Sequence, residues 1–124
     1  MLSYAEWQQA RLNDPRNPVD PAYADRTDHQ KHRRTYCEVC LLLWDKKCQD
    51  SLEVHHGIPR DIFQSYDLFE LDTDPRILFT LCDSGVKTHQ WLGHLGSYQN
   101  SNVRLAHMMK HMWEMKYEKK EQER

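Results

Sequence analysis

Leu52-Glu53-Val54-His55-His56-Gly57-Ile58-Pro59 is the stretch on which the fold of this chain turns. Leu52, Glu53 and Val54 read as a short strand that ends at the two histidines, and Gly57 and Pro59 break the regular structure behind it. Side chains alternate along a strand, so adjacent histidines at its end point in opposite directions. One of them can bind a metal while its neighbour faces a substrate. Alone, the same residues also fit two surface histidines beside a turn.

Upstream, Cys37-Glu38-Val39-Cys40 is a CxxC turn. It sets two sulfurs at one edge of a tetrahedron suited to zinc. The apolar run Leu41, Leu42, Leu43 and Trp44 is short enough for a strand, with Asp45 to Ser51 as the tip of a hairpin returning through Leu52. No second CxxC follows. A zinc site would draw on Cys37, Cys40 and Cys82, with Cys48 or a histidine as the fourth ligand. A redox role for the CxxC lacks the surrounding βαβ pattern.

Downstream, Arg60 to Tyr66 reads as a helical turn and Asp72 to Pro75 as a tight turn. Ile77 to Leu81 is apolar and leads into Cys82, and Asp83-Ser84-Gly85 turns the chain again. Thr88 is the expected N-cap of a helix through His89, Gln90, Trp91 and Leu92. His89 would then sit where free N–H groups suit phosphate. His94 lies five residues further on, off the three-or-four spacing of one helix face, and ranks below His89.

The flanks are plainer. Tyr4 to Leu12 has helical spacing, and Pro15, Pro18 and Pro21 make the next stretch an extended arm. Arg26 to Tyr36 reads as a short helix carrying Arg26, Lys31, Arg33 and Arg34 against one acid, Asp28. That face suits a nucleic-acid backbone, and equally a solvated surface. Asn102 to Tyr117 is the strongest helix signal. Its Leu105, Met109, Met112 and Trp113 are expected partly on the core and partly on a second copy or a neighbouring protein. The remaining tail, from Glu118, is wholly polar and expected to fray.

Composition narrows the classes. The 124 residues suit one domain, and a formal charge of −2 argues against binding nucleic acid by charge alone. The eight histidines fall in pairs: His29 and His32, His55 and His56, His89 and His94, His107 and His111. No apolar run approaches a membrane span, and the N-terminus lacks the features of a secretory signal. A cytoplasmic chain with reduced or metal-bound cysteines is the expectation.

In this order, CxxC, LEVHHGIP, an apolar stretch ending in Leu81-Cys82 and a histidine opening a helix, the stretch from about Tyr36 to about His94 resembles the HNH, or ββα-metal, nucleases. The resemblance implies an α+β fold. A small ββα-metal core with a zinc knuckle would span residues 36–97. Residues 1–35 would supply a helix, the proline-rich arm and the basic segment, and residues 98–124 an amphipathic helix and tail. It implies a metal-dependent endonuclease acting on DNA, with no membrane role. His55 and His89 would hold a divalent ion (Mg, Mn, Ni or Zn), His56 would be the general base, and the cysteines would hold structural zinc. Two departures stand out. Aligned on Cys82, the family's middle Asn is Ile77, which cannot hydrogen bond. Thr88 stands where a last cysteine would precede His89, which leaves the knuckle one ligand short. They favour the competing reading, a zinc-stabilised binding module that kept the fold and lost catalysis.

Overall fold

The structure is a computed structural model that describes residues 2–122, with side chains through residue 117. Its centre is a two-stranded antiparallel sheet, β1 (Leu52–His56) against β2 (Leu78–Cys82). The register pairs Leu52 with Cys82 and His56 with Leu78. Four α-helices surround it: α1 (Tyr4–Leu12), α2 (Glu38–Trp44), α3 (Arg60–Ser65) and α4 (Leu105–Gln122). A π-helical turn, His89–Gly93, follows β2. The fold is therefore a small α+β structure. Among the described residues no helix is long and apolar enough to cross a membrane.

The expected hairpin partner of β1 is not a strand. Leu41 to Trp44 belong to α2, and the segment that pairs with β1 lies some twenty residues downstream of it. A short apolar run carries no period of its own. Here the flanks decide it. Cys37 is the N-cap, and Asp45 closes the helix in the left-handed region (φ 50°). The helix buries Val39, Cys40, Leu41 and Leu42 and leaves Leu43 and Trp44 exposed.

Other expectations shift by smaller amounts. The helix over Arg26 to Tyr36 shrinks to one 3₁₀ turn, His29–His32, capped by the Asp28 side chain. The chain beyond it is extended, with Val19 bridging to Arg34. The C-terminal helix starts at Leu105 and not at Asn102, whose side-chain oxygen accepts from the Arg104 N–H (3.0 Å). Its backbone stays helical to Gln122, and the last two residues of the tail lie outside the described part. Leu105 and Met109 are buried in the core, and Met112 and Trp113 pack on its edge. That face is thus largely used within the chain.

The core joins Trp7 of α1, Val39 of α2, Leu52, Phe79 and Leu81 of the sheet, Leu92 of the π turn and the two α4 residues. One buried ion pair ties its layers together. Arg11 donates from Nε to Glu38 Oε1 (2.8 Å), from Nη1 to Gln8 Oε1 (3.0 Å) and from Nη2 to the Leu78 carbonyl. Its guanidinium also lies 4.0 Å from the centroid of Phe79. Glu38 in turn accepts from the Thr80 backbone N–H at 2.6 Å. One pair thus fixes α1, α2 and β2 to each other. Removing one partner of a buried pair leaves the other charge uncompensated. Glu38→Ala should therefore destabilise the chain by about 3–5 kcal/mol. Urea unfolding checks this, and a change well under 1 kcal/mol would refute it.

Candidate metal centres and the histidine groove

Of three groups of ligating side chains among the described residues, Cys37/Cys40/Cys82, His55/His89/His94 and His29/His56/Asp72, the first two stand on opposite sides of the return that links β2 to the π turn. On one side Cys37, Cys40 and Cys82 bring their sulfurs together, all three buried. Cys37 and Cys40 sit at the N-terminus of α2, where a three-residue step keeps both sulfurs on one helix face. Cys82, the last residue of β2, places its sulfur 3.9 Å from that of Cys40. Burial raises the Cys37 and Cys40 thiols. At Cys82 burial acts the same way, but hydrogen bonds from Thr88 outweigh it and the thiol is lowered. The group could hold a metal ion, which would draw all three sulfurs into the thiolate form. Cys48 is buried in the same core, but its sulfur is not in the cluster; its carbonyl accepts from the Cys37 N–H (2.9 Å).

On the other side stand His55, His89 and His94, which form a second group able to hold a metal. His55 ends β1, and its ring centroid lies 5.1 Å from His89 and 4.7 Å from His94. The π turn explains how residues five apart share one site. Its i→i+5 hydrogen bond, from the His94 N–H to the His89 carbonyl (3.1 Å), carries one extra residue per turn. It brings Nε2 of His89 and Nε2 of His94 to 3.0 Å. Gly93 makes room for this: a Cβ there would lie 3.1 Å from Leu81 Cδ1 and 3.3 Å from His55 Cε1.

The tautomers follow from the partners. His89 Nδ1 lies 3.0 Å from both carboxylate oxygens of Asp83, and His94 Nδ1 lies 2.7 Å from the Asn100 carbonyl. A carboxylate and a carbonyl only accept, so both Nδ1 atoms carry hydrogen. In neutral rings the two Nε2 atoms then turn lone pairs towards each other. Nε2 of His55 is buried with no hydrogen-bond partner among the described residues. Burial, then the neighbouring His89 and His94, push His55 down to about 3, so it offers a lone pair and no charge. The three rings thus form a set of nitrogens that could hold a cation. Two of them 3.0 Å apart compare with about 3.3 Å between nitrogens on a tetrahedral zinc. Imidazole donors suit zinc, nickel, manganese or cobalt better than magnesium.

His56 turns away from this cluster, as strand alternation requires. Its Nε2 donates to the carbonyl of Asp72 (3.1 Å) and lies 3.1 Å from Asp72 Oδ1, which leaves Nδ1 without a proton in the neutral ring. Burial, then Arg60, lower His56 and keep it neutral. Arg60 donates from Nε to Asp72 Oδ1 (2.8 Å) and from Nη2 to Nδ1 of His29 (3.0 Å), whose ring lies tilted against His56 with centroids 4.7 Å apart. A single groove is lined by His29, His55, His56, Arg60, His89 and His94. His55, His56 and His89 thus all line this groove, although His56 belongs to a separate group with His29 and Asp72.

The basic segment is less uniform than its sequence. Arg34 is buried, its guanidinium donating to the carbonyls of Leu12 (3.0 Å) and Asn17 (3.2 Å), so it is a structural residue and cannot meet a nucleic acid. Arg26 pairs with Asp28 (2.6 Å), and Arg33 lies over the Tyr23 ring. Lys31 is half-buried. Thr88 caps nothing: its hydroxyl turns inward to the sulfurs. Ile77 does not face His56 with a polar group; its carbonyl accepts from Gly57 N–H (2.7 Å). The residue that orients His56 is Asp72, five positions earlier. Asp72, Asp83, His29 and the full weight of His94 escaped the sequence reading. An i→i+5 pairing was the signal for His94; for Asp83, it was a carboxylate directly after the strand-end cysteine.

No family model matches this chain, and neither does any curated protein or solved structure.

His94→Ala should remove one of three nitrogen donors. In calorimetric titration with Zn²⁺ or Ni²⁺ we expect affinity at the histidine site to fall by about tenfold or more. An unchanged isotherm would exclude His94 as a ligand.

Proposed function

We propose that this chain is a metal-dependent endonuclease of the HNH, ββα-metal kind that hydrolyses phosphodiester bonds in DNA. The observation that carries this reading is the arrangement of His56, oriented by Asp72, on the same groove as the lone pairs of His55, His89 and His94. The order β1, long loop, β2, helical turn supports it, with the strand-end histidines and the helix-opening histidine in the roles the family uses.

When bound by His55, His89 and His94, a divalent ion supplies Lewis-acid stabilisation of charge on the scissile phosphate and the leaving 3′ oxygen. The rest belongs to side chains. His56 Nδ1 takes the proton of the attacking water, and the Nε2–H bond to Asp72 fixes the ring and supports the imidazolium that forms. Asp83 holds His89 and the Asn100 carbonyl holds His94, which keeps their Nε2 atoms aimed inward. Arg60, half-exposed on the groove, stands ready for a flanking phosphate. Arg26, Lys31 and Arg33 extend the backbone contact. Structural zinc on Cys37, Cys40 and Cys82 braces the return below. The supply of an orienting partner by Asp72 removes the objection raised by Ile77.

The buried Arg34 and the acidic net charge favour the second reading, a binding module without catalysis, because they reduce the cationic surface open to DNA. Plasmid nicking with Mn²⁺, Ni²⁺, Zn²⁺ or Mg²⁺ separates the two. We expect cleavage that EDTA abolishes and that His56→Ala slows by about 10²–10⁴ with metal binding intact. Metal held at the histidine site with no cutting by any of the ions would leave the binding module.

A further inference from the structure

The thiolate cluster has three sulfurs where a closed tetrahedral site has four donors. Beside two of these sulfurs stands an oxygen. Thr88 is fully buried, and its Oγ1 lies 3.1 Å from Cys37 Sγ and 3.3 Å from Cys82 Sγ. It also accepts from the Cys82 backbone N–H at 3.0 Å. Around a tetrahedral zinc, sulfur–sulfur edges are about 3.8 Å and sulfur–oxygen edges about 3.5 Å, from the usual Zn–S and Zn–O lengths. The Cys40–Cys82 separation of 3.9 Å fits the first, and the Thr88 contacts fall slightly inside the second.

The chain is bent to deliver that hydroxyl. Between Cys82 and Thr88 two residues take left-handed conformations, Gly85 (φ 62°) and the non-glycine Lys87 (φ 56°). Among the described residues Lys87 is one of five non-glycine residues with positive φ, and the two left-handed steps here turn Thr88 back towards Cys82. Charge points the same way. Four thiolates on a divalent ion leave a net −2 in a fully buried core, whereas three thiolates and a neutral hydroxyl leave −1, which is less costly to desolvate.

We propose that Thr88 is the fourth ligand of the cysteine site, which binds a zinc-class divalent ion through three thiolates and one hydroxyl. Cys48 and the histidines lie outside the set: the Cys48 sulfur does not join the three clustered sulfurs, and His89, next to Thr88, faces Asp83 and His94. The proposal holds whether or not the chain cuts DNA.

Cobalt(II) titration of the full chain tests it, because thiolate-to-cobalt charge-transfer intensity in the near ultraviolet grows with the number of Co–S bonds. The histidine site adds none. The wild type should give a three-thiolate band that Cys48→Ala leaves unchanged. Thr88→Cys should raise it in the ratio of four thiolates to three and tighten binding. Thr88→Val, nearly equal in volume, should weaken zinc at this site by about tenfold or more in chelator competition, with circular dichroism showing the fold retained. Thr88→Ser should keep the wild-type spectrum and affinity. No charge-transfer band in the wild type, a four-thiolate band that Cys48→Ala diminishes, or a Thr88→Val chain with wild-type spectrum and affinity would each overturn the assignment. Should Thr88→Val fail to fold, the Thr88→Cys and Cys48→Ala spectra still decide it.

Discussion

The structure depends most on the short return between β2 and the π turn. It begins with Cys82 and Asp83 and ends with Thr88 and His89. Each pair of neighbours divides its side chains between two sites. Cys82 and Thr88 meet inside the core, where the Thr88 hydroxyl accepts the Cys82 N–H, and Asp83 and His89 meet outside it. The return is thus clamped twice. Whatever fixes the sulfur side also fixes how far His89 reaches across the groove. Tyr98 adds a third hold by donating to Asp83 Oδ1 (2.6 Å), so the carboxylate that orients His89 is itself oriented.

The sheet supplies the other half of the geometry. β1 and β2 run antiparallel with His55 opposite Phe79, and the π turn packs across both strands. His55 therefore enters the metal cluster from a strand, and His89 and His94 enter it from a helical turn. Strand alternation gives His56 to the far side, where the loop before β2 meets it through Asp72. Gly57 permits the tight exit from β1: a Cβ there would lie 2.8 Å from the Phe79 ring. Two histidines one residue apart can thus bind metal and a proton separately, because no rotation of either ring exchanges their places.

Much of this was legible in the sequence, and the misses have definite causes. The strand ending at His55-His56, the apolar stretch into Cys82, the first and last helices and the three clustered cysteines all appear where the residues suggest. The first strand failed because Leu41 to Trp44 is too short to show a period, and the cap residues on either side made it helical. The ordinary helical repeat sets His94 off the face of His89, but this turn carries an i→i+5 bond that brings the two together. Arg34 looked like part of a basic face because charge alone does not reveal burial, and its backbone N–H donates to Thr80 Oγ1 in the interior (2.8 Å). Asp72 could not be found from spacing, since it reaches His56 from sixteen positions downstream, across a segment that includes α3.

The two clusters also differ in what they ask of a cation. The sulfur site is closed on all sides: its three cysteines and Thr88 are buried, so an ion there is sealed within the core and contributes to folding. The histidine site has one buried member, His55, and two half-buried members, His89 and His94, on a groove open to solvent. An ion held there would keep a face open to the groove. Both are joined by the same return, and Thr88 and His89 are consecutive. Ordering of the sulfur site therefore lowers the conformational cost of assembling the histidine site, since one peptide unit serves both. The closed centre suits a buried ion and the open one leaves space beside it, and the left-handed step at Lys87 lies in the return that joins them.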